Sequence, residues 1–219
     1  MISKESLIRL QQDLPPNVKL VAVSKFKPIE DILEAYNLGV KDFAENRPQE
    51  LSRKMGQLPD DIRWHFIGHL QTNKIKYIIE KVTLIHSVDS LNLLKEIDKE
   101  AGKKGVKVNL LLQVYISSEL TKQGLSRSEL YDIVALKEQF ENVKICGLMG
   151  MASFTDDSNL IKEEFSFLHS LFNDLKSNYF VENSQFSELS MGMSSDYKIA
   201  LEHGSTIIRV GSLIFGERE

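Results

Sequence analysis

The sequence predicts an α/β fold of parallel strands, closed as a single (β/α)8 TIM-type barrel with an extra N-terminal helix. Roughly eight apolar runs alternate with amphipathic stretches along the chain. No two runs are joined by the short Asn-Gly or Asp-Gly turn of an antiparallel hairpin. No glycine-rich dinucleotide fingerprint follows an early strand, which makes an open doubly wound sheet the second choice. The length of 219 residues lies near the lower bound of such barrels, and one domain over 1–219 is expected.

Each element has its own signal. Ser3 to Leu14 reads as the extra helix, with Leu7, Leu10 and Leu14 on one face and Pro15-Pro16 to stop it. The organising stretch is Leu20-Val21-Ala22-Val23-Ser24-Lys25-Phe26-Lys27-Pro28, apolar on both faces as a buried parallel strand is. Strand one is drawn over Val18 to Lys25. Pro28 opens a helix to about Leu38, closed by Gly39. Strands follow at Lys41–Asn46, Trp64–Gly68 and Val82–Val88, with helices expected over Pro48–Gly56, Thr72–Lys81 and Ser90–Lys104. Strand five is drawn over Val106–Ser117, the longest apolar run. Ser126-Arg127-Ser128-Glu129 has capping-box spacing and starts a helix to about Phe140. Lys144–Met151 is strand six, and Asp157–Tyr179 a long helix with Phe165, Leu168, Phe172 and Leu175 on one stripe. Glu188–Met193, a helix from Ser194 to His203, and Thr206–Phe215 complete the count.

Composition narrows the function. Net charge is −4, from 27 basic and 31 acidic residues, without a basic block, so nucleic acid is not an expected partner. The one cysteine, Cys146, fits a reducing compartment and lies in an apolar run as a packed thiol would. No signal-peptide core or membrane-spanning run appears, and a cytoplasmic monomer with no membrane association is expected.

In a barrel, chemistry gathers at the carboxyl ends of the strands. The polar residues expected there are Lys25, Asn46, His69, Ser87 with Asp89, Ser117, Ser194, and the group Arg209-Val210-Gly211-Ser212. An ammonium held partly out of water loses its preference for the charged form, which frees Lys25 as a nucleophile for a Schiff base with a carbonyl compound. A solvated rim lysine is the plain alternative. Asn46 could be a turn residue, His69 a satisfied polar group, and Asp89-Ser90 a helix cap. His65, His69 and His86 lack ligand spacing, so no metal is expected. Met191-Gly192-Met193-Ser194-Ser195-Asp196 places a glycine and two hydroxyls before a helix, and Gly211-Ser212 ends strand eight. Loops in those two places bind phosphate in barrels. Arg209, inside an apolar run, needs a partner: a salt bridge to Glu45 or Asp89, or the ring nitrogen of a cofactor. Lysine, anion cup and cation together describe pyridoxal 5′-phosphate (PLP).

Several motifs then make the chain resemble the pyridoxal phosphate homeostasis proteins, one-domain relatives of the alanine racemase barrel. They are Ala22-Val23-Ser24-Lys25 with Lys27-Pro28, Glu45-Asn46 with Gln49-Glu50, and Trp64 to Gln71 with Asn73-Lys74. Ile85 to Asp89, Gly147-Leu148-Met149, Leu189 to Ser194, and Gly204-Ser205-Thr206 with Arg209 and Gly211 continue the match. The resemblance implies a PLP carrier with Lys25 as the Schiff-base lysine and Arg209 facing the pyridine nitrogen. It implies phosphate contacts from Ser194 and the Gly211-Ser212 backbone, with Asn46 lining the pocket. Two residues depart from the pattern: Tyr115 stands where a small asparagine is usual, and Ser153 where proline is common.

An arginine against the pyridine nitrogen keeps it unprotonated, so the ring withdraws electrons weakly. Racemases of the similar barrel add a β-rich domain whose tyrosine is the opposite acid/base, and two-faced proton transfer needs two positioned groups. Here the sequence stops at Phe215-Gly216-Glu217-Arg218-Glu219, just after strand eight. The resemblance therefore implies a protein without catalytic turnover that buffers PLP and passes it to apo-enzymes. A PLP-dependent racemase-like enzyme and a cofactor-free Schiff-base aldolase are the alternatives.

Overall fold

The structure, a computed structural model, describes residues 2–119 and 123–216. Eight parallel strands pair in chain order and close on themselves. They are β1 (Lys19–Val23), β2 (Asp42–Glu45), β3 (Arg63–Phe66), β4 (Leu84–Val88), β5 (Val108–Gln113), β6 (Val143–Met149), β7 (Glu188–Ser190) and β8 (Ile207–Val210). The seam sets Lys19 against Ile207 and Val21 against Arg209. The expected barrel is the observed fold.

Helix α1 (Lys4–Asp13) is the expected extra helix; it buries Leu7 and Leu10. The Ser3 N–H donates to the Ile214 carbonyl at 2.8 Å, tying the start of the chain to its far end. Between strands lie α2 (Ile29–Asn37), α3 (Pro48–Met55), α4 (Leu91–Lys104), α5 (Arg127–Ala135), α6 (Ser158–Asn178) and α7 (Tyr197–Glu202). Their starts are chemical. The Ser126–Glu129 capping box is complete, Ser90 accepts from the Leu93 N–H, and Asp157 accepts from Asn159 and Leu160. Gly105, at φ 65°, ends α4 in the left-handed region.

Several expected elements differ in extent or kind, and three of the differences have a plain physical reason. Thr72–Tyr77 is a 3₁₀ helix rather than an α-helix, and its three-residue turn stacks buried Ile75 over buried Ile78. The run leaves the barrel after Val114, which forms a local bridge with Leu125: the Leu125 N–H donates to the Gln113 carbonyl and the Tyr115 N–H to the Leu125 carbonyl. Strand eight stops at Val210, because Gly211 turns the chain into a short helix, α8 (Ser212–Phe215). Ile214 and Phe215 are buried there, so an apolar run that looks like more strand is a helix face.

Two apolar layers hold the fold. The large one lies between barrel and helices, where α6 contributes Phe165, Leu168, Phe172 and Leu175 and the rings of Phe180 and Phe186 stack at 4.1 Å. The small one fills the barrel with Val21, Ala44, Leu84, Leu111, Cys146, Met149 and Ile207. Each such side chain contributes roughly 1.5–3 kcal/mol on full burial. Beside this inner layer the lumen is polar: Asp42, His65, His86, Ser190 and Arg209 are all buried. Among the described residues no helix is long and apolar enough to cross a membrane.

Candidate functional site

The carboxyl ends of the strands surround a cavity of about 700 Å³. Lys25, Asn46, Ser194, Arg209, Gly211 and Ser212 all line it. Residues from the loops after strands one, two, seven and eight thus converge, as the sequence led one to expect.

Lys25 sits two residues beyond β1 on a turn held from below. The Ser24 N–H still pairs with the Ala44 carbonyl, and the Lys27 N–H returns to the Ser24 carbonyl, both at 3.0 Å. Between them Phe26 adopts φ 65°, a left-handed conformation that costs a side-chain-bearing residue about 1 kcal/mol. Its N–H donates to Glu50 Oε1 at 2.9 Å. Lys54, wholly buried on α3, donates to the Ser24 carbonyl at 2.8 Å, to Glu45 at 2.7 Å and to Glu50 at 2.8 Å. Ser24 Oγ donates to the same Glu45 oxygen at 2.6 Å. Burial pushes the Glu45 carboxyl up, against the pull of Lys54. Burial also acts on Glu50, but the Lys54 and Phe26 donors outweigh it and hold that carboxyl below its usual range.

Arg209 is buried on β8, and its guanidinium donates to Ser190 Oγ at 2.7 Å and to the Gly150 carbonyl at 3.1 Å. Neither expected ion-pair partner is used. Glu45 faces α3, where Lys54 takes it, and Asp89 lies 3.3 Å from His69. Burial pushes Arg209 down to about 10, against the field of Asp196, and it stays a cation at neutral pH.

The opposite wall is built from backbone. Gly192 takes φ 93°, and a Cβ there would stand 2.6 Å from the Ala200 methyl. This turn delivers Met193, Ser194 and Ser195 to the cavity, while the Asp196 carboxylate accepts the Met193 N–H. Ser194 Oγ accepts from the Gly211 N–H at 3.3 Å, which draws the two loops together. Ser212 and Leu213 are the first residues of α8, so their N–H groups have no acceptor within the helix. The turn at Gly211, hidden within an apolar run, is what brings them to the cavity. Asn46 carries a buried Oδ1 with no hydrogen-bond partner among the described residues. Gly68 packs on it so closely that a Cβ would lie 2.2 Å from the Asn46 carbonyl oxygen.

The other expected polar residues do not line the cavity. Ser87 donates to the Gly68 carbonyl, His69 and Asp89 face each other, and Ser117 shares a hydrogen bond of 2.8 Å with Ser153. Ser153, one of the two departures, donates its N–H to Glu164 Oε2 at 2.6 Å, a bond that proline cannot make. Tyr115, the other, bonds the Glu119 carbonyl at 2.8 Å. Burial raises the Cys146 thiol, as a packed, unreactive thiol requires. Among the described residues no three His, Cys, Asp or Glu side chains are grouped to hold a metal ion.

Sequence reasoning missed part of the lining. Met149 ends β6, and Met151 and the 89% exposed Phe154 follow it, where nothing distinguishes pocket from core in an apolar run. Lys54 stands four residues after Glu50, a spacing that reads as a solvated helix pair.

The profile of the family described as "Alanine racemase, N-terminal domain" matches residues 4–219. The "Pyridoxal phosphate homeostasis protein" of Aquifex aeolicus is 42% identical over 202 residues, covering 92% of this chain and 87% of that protein. Its namesake from Synechocystis is 41% identical over 210 residues, covering 94% of both. PipY of Synechococcus elongatus, solved with PLP bound, superposes with a TM-score of 0.89 at 38% identity, over 97% of this chain and 99% of that one. An alanine racemase of Clostridium difficile shares the fold, with a TM-score of 0.78 at 15% identity over 98% of this chain and 56% of that one. By profile and by identity, the chain belongs to the alanine racemase N-terminal domain family, among its pyridoxal phosphate homeostasis proteins.

Proposed function

We propose that this protein binds PLP as a Schiff base on Lys25 and serves PLP homeostasis and delivery, without catalytic turnover. The observation that carries this reading is the convergence of amine, buried cation and anion cup on one cavity of about 700 Å³. The lining fits the group: Asn46 Oδ1, a buried acceptor without a partner among the described residues, marks a wall that a polar ligand would complete. When bound, PLP supplies an aldehyde that captures amines. Lys25 would condense its amine with that aldehyde and release water. Arg209, which has only donors, would face an unprotonated pyridine nitrogen. Ser194 and the Gly211-Ser212 backbone would hold the phosphate, with the Leu213 N–H beside them, the Gly211 N–H acting through its bond to Ser194 Oγ. The names of the relatives and the PLP in PipY support the same reading.

The visible spectrum of the purified protein, before and after borohydride, tests the covalent attachment. Peptide mapping of the reduced protein should recover the label on Lys25, and Lys25→Ala should abolish it. Label on Lys27, or on Lys122, which lies outside the described residues, would overturn the assignment. Exchange of an amino acid's α-proton in deuterated water, at a rate above that of free PLP, would restore the racemase reading.

A further inference from the structure

Below Arg209 a single file of hydrogen-bonded side chains crosses the lumen. Arg209 Nη1 donates to Ser190 Oγ at 2.7 Å, and that oxygen lies 2.9 Å from His86 Nδ1. His86 Nε2 lies 2.8 Å from His65 Nδ1, and His65 Nε2 lies 3.0 Å from Asp42 Oδ1. The file spans β8, β7, β4, β3 and β2, crossing the open barrel between β7 and β4. No member is more than 6% exposed.

Its protons can be placed from the two ends. A guanidinium has no acceptor, so Ser190 Oγ accepts from Arg209. His86 Nδ1 is the other partner of that hydroxyl among the described residues, and it receives the Ser190 proton. His86 must then carry its own proton on Nε2 and donate to His65 Nδ1. His65 in turn carries its proton on Nε2 and donates to Asp42. The reverse order would leave the wholly buried Ser190 hydroxyl with a proton and no acceptor, which native interiors avoid. Burial holds His86 well below the ordinary imidazole range, and the Arg209 and Lys19 charges add to this, so it is neutral as the order requires. Asp42 is ionised, braced from outside by Arg63.

We propose that Ser190, His86, His65 and Asp42 are positioning residues for Arg209, a one-way relay that starts from a carboxylate across the lumen and pins the guanidinium. With one nitrogen committed to Ser190 and another to the Gly150 carbonyl, the cation presents a fixed face to the cavity it lines. What the relay fixes for the ligand, recognition of an unprotonated ring nitrogen, rests on the reading of this cavity as a PLP site.

Two measurements on the full chain test it. Nitrogen-15 NMR of the imidazoles, with no PLP added, should find both His65 and His86 protonated on Nε2 alone. An Nδ1–H tautomer or an imidazolium at either position overturns the relay. In the PLP-loaded protein, Ser190→Ala should raise the rate of PLP loss about tenfold, the equivalent of one such bond, and shift the pH at which the visible band titrates. Ser190→Thr, which keeps a hydroxyl, should restore both. A Ser190→Ala protein matching the wild type in both readouts overturns the proposal. Should that variant not fold, Asp42→Asn, which keeps an acceptor for His65 but removes the charge, should shift the same titration, and invariance there is equally fatal. If the wild type takes up no PLP, the reading of the cavity falls while the tautomers still decide the relay.

Discussion

Lys54 Nζ lies 2.8 Å from the carbonyl oxygen of Ser24, the residue that precedes Lys25. A wholly buried cation thus holds the backbone that presents Lys25 to the cavity, and the same cation is shared by Glu45 and Glu50. The strained Phe26 turn persists because Glu50, held by Lys54, accepts the Phe26 N–H.

Removal of that cation exposes two carboxylates to each other without compensation. Lys54→Met should cost about 3–5 kcal/mol of stability, the range for breaking a buried pair by deleting one partner. Urea unfolding measures it. Adding Glu45→Gln to that variant should recover part of the loss, because the remaining buried charge disappears.

Gly68→Ala tests the packing of Asn46. A Cβ at 2.2 Å from the Asn46 carbonyl oxygen meets backbone, which cannot rotate away. The expected cost is roughly 2–3 kcal/mol, as for other overpacked sites, with weaker PLP uptake in the visible spectrum. The same substitution at Gly105, where nothing lies within 4 Å, should leave uptake unchanged although its left-handed backbone is strained.

Asp42 makes acid stability predictable in sign. Burial alone would raise its carboxyl, but the bonds from Arg63 and His65 outweigh burial and hold it at about 2 against an ordinary 3.8. A depressed carboxyl stabilises the fold above its unfolded value, and that contribution is lost as pH falls through about 2. Asp42→Asn should therefore remove about 2 kcal/mol at neutral pH. It should also flatten the loss of stability between pH 4 and pH 2, read from denaturation midpoints across that range.

Ser153→Pro would install the residue common in the resembling family, and it should harm this chain. The Ser153 N–H and hydroxyl both bond Glu164, at 2.6 Å each, and proline offers neither. A loss of about 2–4 kcal/mol, from two bonds to a buried carboxylate, is expected in thermal unfolding. Glu164→Gln in the same background should soften it.

The barrel was legible because each strand carries its own apolar run and three of the helices, α4, α5 and α6, their own side-chain caps, and these local signals agree with the closed topology. The six cavity residues were legible because a barrel gathers function at one end of its strands. Polar groups interrupting apolar runs there, such as Arg209 within Ile207 to Val210, stand out. What escaped has a common cause. The turn at Gly211, the methionines at and after the end of β6 and the buried Lys54 cluster depend on which face of an element meets which neighbour. Spacing along one chain does not contain that information. The partner of Arg209 escaped in the same way: Ser190 and the two histidines lie on strands far apart in sequence and meet only across the lumen.

The bond from the Ser3 N–H to the Ile214 carbonyl makes the first helix a stay for the last one. α8 begins with the Ser212 and Leu213 groups that face the cavity, so a purification tag or a proteolytic trim that lifts α1 would be felt some two hundred positions away in sequence. Whoever fuses something to the amino terminus of this protein is also handling one wall of its cavity.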